Sequence, residues 1–383
     1  MTPWFLETSF FQNPYPVYRR LREEAPVLWD EHLGWLVTGY AEVGTLLKED
    51  RLSNEVFPMF AGPDARLPAF EQTSPFWILY RDPPVHTRLR KQVTSVFSAR
   101  FIRSLEEQTR LEVNTLLEAL PARADLVEML GMPLPALVMA EVLGAPRQDL
   151  PLFYRWGHLV SSLVGAAERT SELLDQADAA VAEMNDYFGR LLAAPDRLVA
   201  AMLGARMEPR EVVSMCSLLL LAGHDTTANL ICNGLLALLN DQAAHTRLVR
   251  QPDLIDNALE EFLRFDSPSQ VAARLVREPM AFDGYEFEPG QVVNLYMGAA
   301  NRDPAQFDHP DRLDFDRPHY LHLAFGHGRH YCVGAVLARL VGRIALSETV
   351  RRFPRMRAQE SDPPREKNLV LRRLQRLWVD LDG

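Results

Sequence analysis

Apolar residues recur every three or four positions through most of the middle of this chain. The pattern covers Glu106 to Leu120, Thr170 to Ala193, Glu211 to Asn240 and Leu254 to Phe265, and it predicts helices there. Glu208-Pro-Arg-Glu211 gives the third of these an acidic first turn. Shorter β-like runs at Val27 to Val37, Gln270 to Leu275, Gln291 to Tyr296 and Leu369 to Val379 predict strands. Together they predict a mainly α protein with a small β-rich side, α+β in class. Its strands should come from the N-terminal region, from residues about 270–320 and from the C-terminal end.

Composition narrows the picture. With 383 residues, 47% of them hydrophobic, the chain can bury a large core, and length alone suggests two or three domains. No linker, repeat or low-complexity segment divides it, and its 27 prolines are spread along its length, so a single domain over residues 1–383 is expected. A net charge of −10 argues against nucleic acid, which needs a basic face. The three cysteines, Cys216, Cys232 and Cys332, are too few and too scattered for a disulfide framework, which points to a reducing, cytoplasmic compartment. Met1 to Phe11 lacks a basic start followed by a long apolar run, and the apolar stretch Val212 to Ala222 is too short for a membrane span of roughly 20 residues. No membrane anchor is expected.

Three constellations carry chemistry. In Phe325-Gly-His-Gly-Arg-His-Tyr-Cys-Val-Gly334, one cysteine lies between glycines on a loop that runs into the helical stretch Ala335 to Val350. A helix N-terminus favours a thiolate, so Cys332 is expected to be anionic and able to ligate a metal. Gly326, Gly328 and Gly334 allow tight turns and close approach to a large planar partner such as haem. A zinc site using His327 and His330, or an inert buried cysteine, is the alternative; the nearest other cysteine, Cys232, is distant.

The second constellation, Ala222-Gly-His-Asp-Thr-Thr227, sets an acid and an alcohol in mid-helix, where a threonine can bond back to a carbonyl one turn earlier and bend the helix. Gly223 would open space for a small molecule, Thr226 would offer it a hydroxyl, and Asp225 could relay protons; a satisfied polar kink is the alternative. The third, Glu261-Phe-Leu-Arg264, places opposite charges three residues apart on one helix face. That is either a solvated surface pair or a brace for the segment carrying Arg274.

Taken together these motifs resemble the cytochrome P-450 family, in its soluble bacterial branch. FGHGRHYCVG resembles its cysteine loop, AGHDTT its oxygen-site helix and EFLR its Glu-x-x-Arg pair, supported by PYPVYRRLREEAPV, DPPVHTRLR, ANRDPAQF and DRLDFDRP. The resemblance implies a triangular helical prism enclosing haem b, with Cys332 as axial thiolate. It implies that His86, Arg90, Arg274 and His330 bind the haem propionates, and that Phe325 shields the sulfur beside Gly326 and Gly334. It makes Glu261, Arg264 and Arg317 a structural triad, and Asp225 and Thr226 the pair delivering protons to dioxygen.

The implied activity is a monooxygenase that inserts one oxygen atom from O2 into a small to medium hydrophobic organic molecule, by hydroxylation or epoxidation. Electrons would come from a ferredoxin or flavodoxin and its NAD(P)H-dependent reductase, since 383 residues leave no room for a fused flavin or iron–sulfur domain. Arg88, Lys91, Arg329, Arg339 and Arg343 are candidates for a basic docking patch. A monomer is expected. A peroxide-driven peroxygenase, a haem-binding sensor and a cofactor-free helical protein are the alternatives. Candidate pocket walls are Phe57 to Ile78 with Trp77 and Ile78, Trp156 to Leu173, Leu218 to Gly223 with Leu219, Ala222 and Gly223, Val271 to Ala273 including Ala272, and Val370 to Leu374 with Leu371.

Overall fold

The computed structural model describes residues 3–56, 66–317 and 321–382. Its centre is a helix of 31 residues, Pro209–Leu239, buried over most of its circumference. Pro209 stands at its first position, and Glu208 and Glu211 form a reciprocal capping box there. An apolar helix without a polar face must be covered on several sides. Helices Pro133–Leu143, Leu150–Gly165, Ser171–Leu191, Ile255–Phe265 and Ala335–Arg352 do so, and their apolar residues merge into one continuous core.

The strands are β1 (Val27–Asp30), β2 (Gly34–Val37), β3 (Leu52–Ser53), β4 (Arg123–Asp125), β5 (Ala272–Val276), β6 (Met280–Phe282), β7 (Tyr285–Phe287), β8 (Val292–Leu295), β9 (Arg357–Ala358) and β10 (Trp378–Asp380). The larger sheet has the order β1-β2-β8-β5-β3. Only its β2–β8 pair is parallel, and Trp35, Leu36 and Val37 pair there with Val293, Asn294 and Leu295. A second apolar cluster under this sheet joins Val27, Trp35 and Val37 to Val293 and Leu295. The smaller sheet, β4-β10-β9, and the β6–β7 hairpin complete the β-rich side.

The helical expectations hold to within a few residues: Glu106–Glu118, Ser171–Leu191, Pro209–Leu239 and Ile255–Phe265. The expected strand Leu369 to Val379 does not form as a continuous strand. Only its end joins β10; before that, Leu371 and Leu374 make isolated bridges to Ser269 and Arg365. Asn368 turns the backbone by accepting the Val370 and Leu371 N–H groups, and Arg372 and Arg373 turn their side chains into the interior. Among the described residues no helix is long and apolar enough to cross a membrane.

Candidate active site

Ala222, Gly223 and Thr226 carry accessible surface in the middle of the long helix, although His224, Asp225 and Thr227 beside them are buried. The spacing puts the first three on one face. Thr226 Oγ1 donates to the Ala222 carbonyl at 2.6 Å, one turn earlier as expected, and the helix runs on unbroken. Gly223 has a different use from the one expected. A Cβ there would meet Met139 Sδ at 2.9 Å, so its missing side chain lets helix Pro133–Leu143 approach.

Asp225 turns away from that face into the protein. Its Oδ1 lies 2.9 Å from His224 Nδ1. Its Oδ2 accepts from the Ser161 hydroxyl and from Arg373 Nη2. Burial pushes the carboxyl up, but Arg373, His224 and Ser161 together overcome it and hold Asp225 well below the usual carboxylate range. His224 Nε2 faces the Met132 carbonyl at 3.2 Å, so both ring nitrogens face acceptors.

The cysteine loop folds as two left-handed glycines, Gly326 at φ 70° and Gly328 at φ 71°, followed by a short 3-10 turn. A Cβ on Gly328 would meet Lys48 Cγ at 3.0 Å and the Leu47 carbonyl at 3.2 Å, so its missing side chain makes room for that segment. Gly334 has an ordinary φ of −84° and caps helix Ala335–Arg352. The Cys332 N–H donates to the Phe325 carbonyl at 2.9 Å, and Arg90 Nη2 donates to the Tyr331 carbonyl at 2.6 Å. The expected thiolate is not favoured by the protein alone. Burial pushes the thiol up by more than the N–H groups of Gly334 and Ala335, with Arg90 and Arg339, pull it down.

A cluster of donors lies beside this loop. The His86 and His330 rings stand 4.2 Å apart, and both Nε2 atoms are buried without a partner. Arg274, 6% exposed, donates to the Ala273 carbonyl, and burial pushes it down to about 10. Among the described residues neither Arg274 nor His330 pairs with a carboxylate. Burial, then His86, Arg274, Arg329 and Arg90, push His330 far below its usual value. Convergent, unneutralised donors of this kind form a site for an anion.

Glu261 and Arg264 are fully buried and joined by two hydrogen bonds of 2.7 Å. Arg264 also donates to the carbonyls of Asn301, Pro310 and Arg312, and Arg317 Nε reaches Glu261 at 3.3 Å. The pair is therefore not a surface pair, and what it braces is the stretch from Asn301 to Arg317 rather than the segment carrying Arg274. It stitches helix Ile255–Phe265 to the segment before the cysteine loop.

Among the pocket candidates, Ala222, Gly223, Val271, Ala272 and Leu371 carry accessible surface, whereas Trp77, Ile78 and Leu219 are buried in the core. The first nine residues of the wall Phe57 to Ile78, Phe57 and Phe60 included, lie outside the described residues. The basic docking patch is largely neutralised from within. Arg88 pairs with Glu211, Arg329 with Asp50, Arg339 with Glu260 and Arg343 with Glu106; Lys91 is exposed. Sequence reasoning missed Ser161, His224 and Arg373 around Asp225, and Glu260 and His322 beneath the cysteine loop. The one available signal was Arg372-Arg373 inside an apolar stretch, since a buried guanidinium needs an acidic partner.

A protein-family model described as Cytochrome P450 matches residues 139–377. Vitamin D(3) 25-hydroxylase of Pseudonocardia autotrophica is 39% identical over 356 residues, covering 88% of this chain and 86% of that protein. The cytochrome P450 monooxygenase PikC of Streptomyces venezuelae is 36% identical over 371 residues, covering 91% of this chain and 86% of the relative. The crystal structure of P450BioI, in complex with hexadec-9Z-enoic acid ligated acyl carrier protein, superposes with a TM-score of 0.92 at 30% identity, covering 98% of this chain and 99% of that one. This chain belongs to the cytochrome P-450 family and has its fold. It is an oxidoreductase, a haem-thiolate monooxygenase acting on an organic molecule with electrons from a separate redox partner.

Proposed function

We propose that the whole chain works as one catalytic domain in which Cys332 ligates the iron of haem b, with His86, Arg90, Arg274 and His330 receiving the two propionates. The observation that carries this reading is the convergence, beside one cysteine, of two orphaned histidine nitrogens and an arginine that forms no ion pair among the described residues. Two carboxylates would satisfy them. A bound cation would likewise reverse the balance at Cys332 and draw out its proton. Bound haem supplies the oxygen chemistry: with two electrons and two protons, one atom of O2 enters a C–H or C=C bond and the other leaves as water.

The protein's own contribution is positional. Thr226 presents a hydroxyl at the accessible face and, by releasing the Ala222 carbonyl, can hand a proton toward that space; Asp225, here an inward-turned carboxylate bound to Arg373 and Ser161, passes protons on only when it turns toward that face. Phe325 lies between the loop and Arg339, whose guanidinium stands 4.5 Å over its ring, and shields the sulfur from water. Glu261, Arg264 and Arg317 hold the loop in place. Ala222, Val271, Ala272 and Leu371 offer a small-residue, apolar wall. That wall suits a hydrophobic substrate of the general kind that the relatives' names give them, vitamin D(3) or a fatty acyl chain on a carrier protein. The electron donor is a ferredoxin or flavodoxin with its reductase, acting in the cytoplasm on a monomer.

Haem titration into the apo-protein tests the reading. Arg274→Met should weaken haem retention about tenfold, the equivalent of one charge-assisted hydrogen bond to a carboxylate. Unchanged retention would remove Arg274 from the site.

A further inference from the structure

The N-terminal segment passes behind two of the pocket-wall stretches. Its aromatic residues Phe10, Phe11, Tyr15 and Tyr18 belong to a separate buried cluster, and Val271 and Leu369 pack against that cluster. The two wall stretches are themselves joined, by Gln270 N–H to the Val370 carbonyl at 2.8 Å and by the bridge between Ser269 and Leu371. Displacing either one therefore displaces the other.

One buried guanidinium fastens the segment to this wall. Arg372, next to Leu371 in the chain, is 7% exposed and uses all three of its nitrogens: Nε donates to Asp266 at 3.1 Å, Nη1 to the Phe11 carbonyl at 2.6 Å and Nη2 to the Gln12 carbonyl at 2.8 Å. Phe11 and Gln12 end the short helix Thr8–Gln12, and the last carbonyls of a helix have no partner within it, which suits them to a cationic donor. Asp266 also accepts from the Tyr15 hydroxyl at 2.6 Å and from Arg365 Nη2 at 2.9 Å. Burial pushes this carboxyl up, but Arg372, Arg365 and Tyr15 overcome it and bring it down to about 2, so the clamp stays charged. Tyr15 is held in turn by the Arg302 guanidinium, 3.6 Å over its ring.

The packing between segment and wall is incomplete. A cleft of about 280 Å³ lies there, with Phe10, Phe11, Tyr18, Leu369 and Leu371 in its lining. A wall residue with space behind it can give way to a ligand, whereas one backed by close-packed side chains cannot. How far Leu371 gives way is then set by how firmly the segment behind it is held.

We infer that Arg372 and Tyr15 are positioning residues that determine the size of ligand the pocket accepts: through Asp266 they hold the N-terminal segment against the wall formed by Val271 and Leu371 and so limit how far that wall yields. This rests on the haem-monooxygenase reading, in which Val271 and Leu371 face the substrate.

The test uses the ferric holoenzyme and two haem ligands, imidazole as the small reference and 4-phenylimidazole as its bulky counterpart, both titrated by absorbance. The readout is the ratio of the two Kd values, bulky over small. Arg372→Met, which releases the segment, and Phe11→Ala, which widens the cleft, should each lower that ratio about fivefold, the equivalent of one net hydrogen bond. Tyr15→Phe should shift it the same way by a smaller factor, and Phe11→Leu, which refills most of the space, should stay near the unaltered ratio. Tyr15→Phe and Arg372→Met should combine less than multiplicatively, because both act through Asp266. Lower melting temperatures with an unchanged ratio would overturn the inference and leave these residues a purely structural role. No spectral response to imidazole in the unaltered protein would instead overturn the haem reading, and this inference with it.

Discussion

Arg339 grips Glu260 with both arms, Nε to Oε1 at 2.7 Å and Nη2 to Oε2 at 2.8 Å, and in doing so locks helix Ala335–Arg352 onto helix Ile255–Phe265. His322 Nε2 closes on the same carboxylate at 3.0 Å, while its Nδ1 accepts the Ala324 N–H at 3.2 Å. Accepting at Nδ1 fixes the imidazole proton on Nε2, aimed at Glu260. The carboxylate is thereby saturated from two elements that bracket the cysteine loop. Arg339 is committed inward and is not a free docking charge.

Arg339→Glu should therefore cost stability before it changes carrier affinity. Setting a second acid against a carboxylate only 10% exposed should lower stability by about 3 kcal/mol and promote haem loss. Chemical denaturation of the holoenzyme checks this. A raised Michaelis constant for the electron carrier at unchanged stability would return Arg339 to the docking surface.

Glu260 also gives a pH dependence of defined sign. Burial raises its pKa, but the hydrogen bonds from Arg339 and His322 overcome that and bring it from 4.5 to about 2. A depressed carboxyl contributes its full stabilisation above the unfolded value of 4.5 and loses it as pH falls toward 2. The contribution is on the order of 3 kcal/mol. Melting temperatures across this range should fall more steeply for the unaltered protein than for Glu260→Gln, the two curves converging at the acid end. Parallel curves would show that Glu260 is not the titrating group.

Glu261→Gln leaves the Arg264 guanidinium buried with its charge partner gone. Removing one member of such a pair is strongly destabilising, about 3–5 kcal/mol, and the three carbonyls that Arg264 holds would lose their anchor. The expected result is little folded, haem-containing protein. A soluble, haem-replete Glu261→Gln enzyme would contradict the structural role.

Thr226→Ala removes the hydroxyl at the accessible face and leaves the cysteine loop and the propionate donors untouched. Haem content should be unchanged, while the share of NADH that ends in product falls and peroxide release rises. Thr226→Ser should recover most of the coupling. Full coupling in Thr226→Ala would rule out its part in proton delivery.

What was legible in the sequence was what lies close together along it. The long helix follows from its apolar run and the Glu208-Pro-Arg-Glu211 cap, and Glu261 and Arg264 meet because they share a helix face. The partners of Asp225 could not be read in this way, since Ser161 lies 64 residues before it and Arg373 148 residues after it. The apolar run from Leu369 resembled a strand, yet its two arginines are drawn inward by Asp266 and Asp225, and Asn368 bends the backbone ahead of them. Cys332 was legible as a candidate ligand but its protonation was not. Local sequence shows the favourable helix N-terminus; the desolvation that outweighs it is set by the whole fold.

The central claim is that Cys332 binds a haem iron as thiolate, and the absorbance difference spectrum of the dithionite-reduced protein with and without carbon monoxide tests it most directly. The expected result is the long-wavelength Soret band of a thiolate–iron–CO complex, lost in Cys332→Ser. A band only at the shorter wavelength typical of a neutral axial ligand, identical in Cys332→Ser, would contradict it.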